Sequence, residues 1–238
     1  MKAFLYGVAL QWKLDLRNKG ILVTYYFVPL LFFLFIGTIF TSINPLAKDT
    51  LIQSMTIFAI TMGAFLGTPI PLVELYSGDI RKAYQVGGIP LWTGAVNNFI
   101  SAFVHLFISS LIIYVIAPLA FDAKVPENPY QYFGFLAIFL ITCISIGGLL
   151  GLFVKSVSKL TMYSQILFLP SLMLSGIMFP ADMLPKALEY AGYIFPATWA
   201  LKILTSPNPE FLWFLPIILI FVATLTLGIY KLARIYRD

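Results

Sequence analysis

The feature that most constrains this chain is a series of long apolar runs without any Asp, Glu, Lys or Arg. Six such runs, each of about 20 residues or more, recur along the sequence. They cover residues 21–40, 51–73, 92–118, 133–154, 160–178 and 211–230. A helix of about 20 apolar residues crosses the hydrocarbon core, whereas barrel strands would alternate in polarity. The sequence therefore predicts an all-α integral membrane protein with six transmembrane helices.

The composition agrees with a membrane environment. Hydrophobic residues make up 60% of the chain and charged residues 11%, compared with about half and about a quarter in soluble domains. The single cysteine, Cys143, lies in an apolar run and can form neither an internal disulfide nor a cysteine metal cluster. We expect one membrane domain over residues 1–238, no metal site, and a packing role for Cys143.

The distribution of basic residues predicts the orientation. One side would carry eleven Lys and Arg: Lys2, Lys13, Arg17, Lys19, Arg81, Lys82, Lys155, Lys159, Lys231, Arg234 and Arg237. The other side would carry four: Lys48, Lys124, Lys186 and Lys202. Because basic loops stay in the cytoplasm, both termini are predicted to be cytoplasmic, and the net charge of +5 needs no nucleic-acid partner.

The first 20 residues have the pattern of an amphipathic helix. Phe4, Val8, Trp12 and Leu16 recur at intervals of four, while the basic residues Lys13 and Arg17 lie off that stripe. Such a helix is expected to lie in the cytoplasmic interface. Two interpretations stay open at this stage, a simple surface anchor and a contact site for a partner.

The loop 74–91 joins the second and third runs and is the longest cytoplasmic connection. Gly87-Gly88 and Pro90 end a predicted short helix in its middle. The candidate contact residues are Glu74, Asp79, Ile80, Arg81, Lys82 and Tyr84. A helix that presents apolar residues and both charge signs suits docking into a groove of another protein, and the alternative is a solvated turn.

Segment 180–205 is too apolar for an ordinary outer loop. Its prolines and aromatic residues predict a re-entrant or interfacial helix pair. The candidate gate residues are Phe179, Pro180, Pro185, Phe195, Pro196 and Trp199. An additional full span would instead move the basic C-terminus outside, against the charge rule.

A polar stripe runs along the third span. Asn97, Ser101, His105 and Ser109 recur at intervals of four and must meet protein or water. The stripe is interpreted either as interhelical hydrogen bonding or as part of a substrate pathway. Since His105 is the only ionisable candidate there for a proton relay, the stripe gives little support to proton-driven transport.

Two Gly-x-x-x-Gly pairs, Gly63/Gly67 and Gly147/Gly151, predict close helix packing within the chain.

This arrangement resembles the permease subunits of type-2 ABC exporters. The residues that carry the resemblance are Glu74, Arg81-Lys82 and Gly88-Ile89-Pro90 in the first cytoplasmic loop, and Ser175-Gly176-Ile177-Met178-Phe179-Pro180, Leu184-Pro185 and Phe195-Pro196-Ala197-Thr198 after the fifth run. The resemblance implies that residues 79–84 form a coupling helix and residues 2–19 a connecting helix. It also implies a conduit between two membrane subunits, lined by the first, second and fifth spans, with the outer helices at its exit.

The energy source for transport is inferred from the absence of an ATP-binding motif in the sequence and from the resemblance to the exporter family. The sequence contains no G-x-x-x-x-G-K-[ST] phosphate loop and no catalytic cluster, so the chain is not expected to be an enzyme. The resemblance implies a separate ABC ATPase in two copies, which holds ATP and Mg, and a second permease copy or a homologue.

The expected location is a bacterial cell membrane, which the chain crosses several times. The expected cargo is an amphipathic molecule, a peptide, a drug, a lipid or a lipid-linked glycan. The alternatives are a secondary transporter or channel that is not driven by ATP and, with less support, an intramembrane enzyme.

Overall fold

A computed structural model describes residues 2–237, without the side chains of residues 2, 3, 79, 182, 236 and 237. Within this part of the chain all regular secondary structure is helical. The longer helices are α1 Lys2–Arg17, α2 Lys19–Ile43, α3 Leu51–Ser77, α4 Asp79–Val86, α5 Leu91–Phe121, α6 Pro129–Phe153, α7 Val157–Leu174, α8 Lys186–Gly192, α9 Pro196–Thr205 and α10 Phe214–Arg237.

Five helices in the described residues are long and apolar enough to cross a membrane, namely α2, α3, α5, α6 and α10. The chain is therefore a multi-pass membrane protein. The fifth predicted run, 160–178, corresponds to α7, which ends at Leu174 and contains Lys159 and Pro170. α7 is not among the five, and a sixth crossing through it stays a prediction.

Helix α3 lies at the centre of the fold and contacts α2, α5, α6, α7 and α9. Its turn at Gly63–Gly67 is π-helical, and the ring of Tyr25 on α2 fits against these two glycines. The second glycine pair lies on α6 and faces the backbone of Ala64 and Pro69 on α3. Both pairs thus allow close packing between helices of one chain.

Helix α10 lies at the periphery and packs chiefly on α6. Only 6% of its apolar segment is buried inside the protein, whereas 83% of the apolar segment of α3 is buried. Leu219, Val222 and Ile229 on α10 are exposed. Their apolar surface is compatible with lipid as the surrounding solvent.

Candidate functional site

Helix α4 lies where α3 and α5 meet, at the position of the short helix predicted from the sequence. A break at Gly78 separates it from α3. At its other end Gly88 has a φ of 63°, a left-handed conformation that favours glycine, and the amide of Ile89 donates to the carbonyl of Tyr84 at 2.9 Å. The glycines therefore define α4 as a separate, short helix between two long ones.

One side of α4 is attached to its own chain. Arg81 Nη2 donates a hydrogen bond to the carbonyl oxygen of Ile235, near the end of α10, at 2.9 Å. Because the last carbonyls of a helix lack intrahelical partners, a guanidinium at this end is favourable. Tyr84 packs against the apolar cluster of Leu91, Leu152 and Ile235. Arg81 and Tyr84 therefore connect α4 to α5, α6 and α10.

Two residues of α4 and one residue beyond it expose apolar side chains. Val86 is 92% exposed, Ile80 is 49% exposed, and Ile89 beyond the helix is also exposed. Sequence reasoning identified Ile80 and missed Val86 and Ile89. The signal was available, since Val86 and Ile89 flank the two glycines that end the helix.

The remaining loop candidates are distributed differently from the prediction. Glu74 is exposed but belongs to the last turns of α3, and Lys82 is exposed on α4. The side chain of Asp79 lies outside the described residues. In the single chain the phenol of Tyr84 packs on an apolar cluster and the guanidinium of Arg81 binds a carbonyl of the same chain. Contact of Tyr84 and Arg81 with a partner stays a prediction.

Helix α1 packs along α5 and covers its polar stripe. Asp15 is 2% exposed and accepts two hydrogen bonds, from Ser101 Oγ at 2.5 Å and from Gln11 Nε2 at 2.8 Å. Burial raises the pKa of the Asp15 carboxyl above its ordinary value, while the two hydrogen bonds act in the opposite direction. Asp15 is thus a buried acid in a helix contact, which sequence reasoning did not identify.

His105 lies at the centre of the same contact. The indole of Trp12 stacks on its ring with centroids 3.9 Å apart, and the hydroxyl of Tyr26 lies 2.8 Å from His105 Nδ1. Asn97 faces Gly7, where a Cβ would lie 2.6 Å from the Asn97 Nδ2 atom. Ser109 is buried farther along α5. All four residues of the stripe are buried, and Ser101 and His105 have hydrogen-bond partners on other helices.

The buried side of α1 differs in one position from the predicted stripe. Phe4, Val8 and Trp12 are half-buried, while Lys13 and Arg17 are exposed, as the pattern predicted. Leu16 was expected to continue the stripe, but it is exposed and Asp15 is buried instead. The reason is helix geometry: each step of four residues turns about 40° around the helix, so Leu16 has moved off the stripe whereas Asp15 lies on it. Ser101 on α5 then donates to the carboxylate of Asp15.

The outer segment forms two short helices, α8 and α9, which follow Pro185 and begin at Pro196 respectively. Trp199 Nε1 donates to the carbonyl of Tyr193 at 2.8 Å, and the ammonium of Lys202 lies 4.3 Å from the centroid of the Tyr193 ring. Gly192 fits closely against the carbonyl of Leu174 at the end of α7. The pair is therefore held together and fixed to α7.

The predicted gate residues have two kinds of environment. Pro196 is buried, and Phe195 and Trp199 are half-buried within the α8–α9 pair. Phe179, Pro180 and Pro185 are exposed on its surface. On α8, Lys186 lies 3.1 Å from Glu189 and lowers the pKa of that carboxyl by hydrogen bonding and by its charge.

Helices α2 and α7 both contact α3 and carry exposed apolar faces. The exposed side chains include Phe27, Phe35 and Ile39 on α2, and Ile166, Leu169 and Met173 on α7. The π-helical turn Gly63–Gly67 of α3 contacts both α2 and α7. A π-helical turn interrupts the regular helix and is frequent at functional sites.

Comparison with known proteins identifies one family. The model of the ABC-2 type transporter membrane domain matches residues 3–208, which includes α1 to α9. No curated protein matches the chain.

Proposed function

The chain belongs to the ABC-2 type transporter family, and on that premise we propose that it is the permease subunit of an exporter driven by a separate ATPase. The family match over residues 3–208 carries this proposal. Two copies of the ATPase subunit would hold ATP and Mg. The permease would supply the path through the bilayer. The proposed topology has six spans, cytoplasmic termini and the α8–α9 pair on the outer side.

The exposed side of α4 is the proposed contact with the ATPase. Val86, Ile80 and Ile89 form its apolar part, and apolar anchors surrounded by polar residues are typical of binding hot spots. The same helix contacts α10 through Arg81 and the apolar cluster through Tyr84. A displacement of α4 would therefore reach α5, α6 and α10 directly.

The contacts between loops support the proposed sides of the membrane. Arg81 and Ile235, both predicted to be cytoplasmic, are hydrogen-bonded. At the predicted outer side, the amide of Lys124 donates to the carbonyl of Lys48 at 3.0 Å, and Lys48 Nζ lies 3.5 Å from Asp122 Oδ2. Loops assigned to the same side thus contact one another.

The substrate path is proposed to lie between two copies of the permease. The apolar faces of α2 and α7 are exposed in the single chain, and both helices contact α3. An apolar wall without charged side chains suits an amphipathic, peptide, drug, lipid or lipid-linked glycan cargo better than a bare ion. Crosslinking of cysteines placed at Phe35 or Leu169, with Leu219 on α10 as a control, tests this arrangement. Crosslinked dimers at Leu219 alone would contradict it.

Copurification from native membranes tests the ATPase partner. Val86→Glu should reduce the amount of bound ATPase about tenfold or more, because it places a charge in an apolar contact. Leu46→Glu is the matched control, since Leu46 is also strongly exposed but lies in the turn Pro45–Asp49 at the predicted outer side. Equal recovery of ATPase with both variants would rule out α4 as the contact.

Arg81→Gln separates binding from coupling. Because Arg81 contacts Ile235 of the same chain, the variant should retain the ATPase but lose the stimulation of ATP hydrolysis by substrate. Loss of ATPase binding instead would show that Arg81 faces the partner in the assembled transporter. If wild-type membranes yield no ATPase at all, the second candidate function, a secondary transporter or channel, takes precedence.

A further inference from the structure

A long apolar groove, which no residue of α2 or α7 lines, lies along the surface of the molecule. It has a volume of about 540 Å³ and is bounded by α5 and α10, with α6 and the end of α3 as its floor. On α10 it extends from Phe221 to Leu232, and on α6 from Ile141 to Leu152. At 1.5 Å per residue these stretches are about 16 Å long, close to the thickness of one leaflet of a hydrocarbon core of about 30 Å.

The groove is open to the surrounding bilayer. Trp92 on α5 and Leu225 and Ile229 on α10 belong to its lining and are exposed. Among its polar lining groups, Ser145 and Thr224 pair at 2.7 Å, and Asn98 Nδ2 donates to the carbonyl of Thr68 at 3.0 Å. The Oδ1 atom of Asn98 has no hydrogen-bond partner among the described residues, but it is buried and does not contribute to the surface of the groove. The surface that remains is aliphatic and aromatic, so the groove suits an occupant that is largely hydrocarbon.

Charge and aromatic residues mark one end of the groove. Leu232 is its last lining residue on α10, and the basic residue Lys231 directly precedes it on the helix. Lys231 Nζ lies 5.1 Å from the ring of Phe153, at the end of α6. Trp92 lies at the same end, as is typical of residues at the boundary between headgroups and acyl chains. Basic residues at this boundary attract anionic headgroups.

From these observations we infer that the groove between α5 and α10 binds one acyl chain of an anionic phospholipid, whose headgroup lies at Lys231. The length of the groove matches an acyl chain that extends through one leaflet. The basic end selects the headgroup. This lipid is a resident of the fold, separate from any transported molecule, because the proposed path lies along α2 and α7.

Two glycines allow the groove to be filled without disturbing the helices. A Cβ at Gly148 would meet only Leu72 Cδ1 at 3.8 Å, and a Cβ at Gly228 only Leu152 Cδ1 at 3.9 Å, which are ordinary contacts. Gly148→Leu and Gly228→Leu should therefore fold and occupy the groove. Gly134→Leu is the matched control, because Gly134 lies on α6 outside the groove with no atom within 4 Å of its Cβ position.

The experiment uses the full chain, purified with its bound subunits, in nanodiscs that contain phosphatidylglycerol with a photoactivatable acyl chain. We expect crosslinks on Phe221–Leu232 and Ile141–Leu152 in the wild type and in Gly134→Leu. Gly148→Leu and Gly228→Leu should reduce them about tenfold, the loss expected when roughly two methylene groups are displaced. Lys231→Gln should weaken the preference for phosphatidylglycerol over phosphatidylethanolamine.

Four results would overturn the inference. Unchanged crosslinking in the two filled variants would exclude the groove as the site. Equal labelling by phosphatidylglycerol and phosphatidylethanolamine would exclude headgroup selection. Disulfide crosslinks between copies carrying cysteine at Ile229 would show that a second chain covers the groove. Displacement of the labelled lipid by a transported substrate would make the groove part of the transport path.

Discussion

Helices α3 and α10 are both apolar enough to cross a membrane, yet they have opposite environments. The apolar segment of α3 is 83% buried and that of α10 only 6% buried, although α10 has the higher mean hydropathy. In a soluble protein the more apolar helix would be the more buried one. Here lipid accommodates an apolar surface, and helix contacts select glycines and hydroxyl residues instead. The difference teaches that side-chain size and hydrogen bonding, rather than hydropathy, decide which span is central.

The largest effect is expected where α6 meets α3. Gly147→Ala would place a methyl group against the carbonyl oxygen of Ala64, a backbone atom that cannot move without displacing α3. We expect a loss of about 3 kcal/mol or more in unfolding free energy, measured by denaturation in detergent. Gly134→Ala on the same helix has no atom near its Cβ position and serves as the control. Similar losses at both positions would contradict close packing as the cause.

The contact of α1 with α5 is joined by polar groups, so it can be compared with the glycine contact of α3 with α6. Ser101→Ala removes one donor from the buried carboxylate of Asp15 and should cost about 1 to 3 kcal/mol of stability. Lys13→Ala, on the exposed side of α1, should change little. Equal stability of Ser101→Ala and the wild type would mean that α1 does not depend on this bond.

The stability of the contact between α1 and α5 should depend on pH. Burial raises the pKa of Asp15, so the packed state of α1 binds a proton more readily than the free helix does. The packing is therefore strongest below the ordinary pKa of an aspartate and weakens as the pH rises through the raised value. Asp15→Asn should abolish this dependence, as measured by the unfolding midpoint across pH. A pH dependence unchanged in Asp15→Asn would assign it to another group.

Two hydroxyl pairs, each with one member on α6, test the contrast between α3 and α10 with smaller changes in stability. Thr56 on α3 pairs with Tyr132 at 2.7 Å in a buried site, and Thr224 on α10 pairs with Ser145 at 2.7 Å in a partly buried one. Thr56→Val should cost about 1 kcal/mol, and Thr224→Val about 0.5 kcal/mol, because hydrogen bonds between membrane helices are weak. Unfolding measurements of both variants give the difference, and a larger loss at Thr224 would reverse the assignment of the central helix.

The smallest effect is expected on the outer face of α10. Leu219 is 58% exposed, so Leu219→Ala should change the unfolding free energy by about 0.5 kcal/mol or less in bilayers. Ile60→Ala on α3 is the comparison, since Ile60 is fully buried and its truncation should cost about 2 to 5 kcal/mol. Comparable losses at both sites would indicate that α10 is covered by another subunit.

The sequence by itself determined the helical membrane fold, because charge-free runs of about 20 residues have no other stable form in a bilayer. Local breakers determined the short helices: Gly87-Gly88 ends α4, and Pro196 begins α9. Orientation, the ATPase contact and the identity of the cargo stay predictions that rest on charge distribution and family.

Tertiary structure alone decided which side of each helix meets protein. The repeat of four predicted Leu16 in the buried stripe of α1, but Asp15 is buried there instead and its carboxylate accepts a hydrogen bond from Ser101 on α5. Nothing in the composition of the loop indicated that Arg81 donates to the carbonyl of Ile235, a residue 154 positions away in the chain. The physical reason is common to both: a polar side chain in or beside a membrane lies where a partner group is available, and the position of that group depends on how distant helices pack.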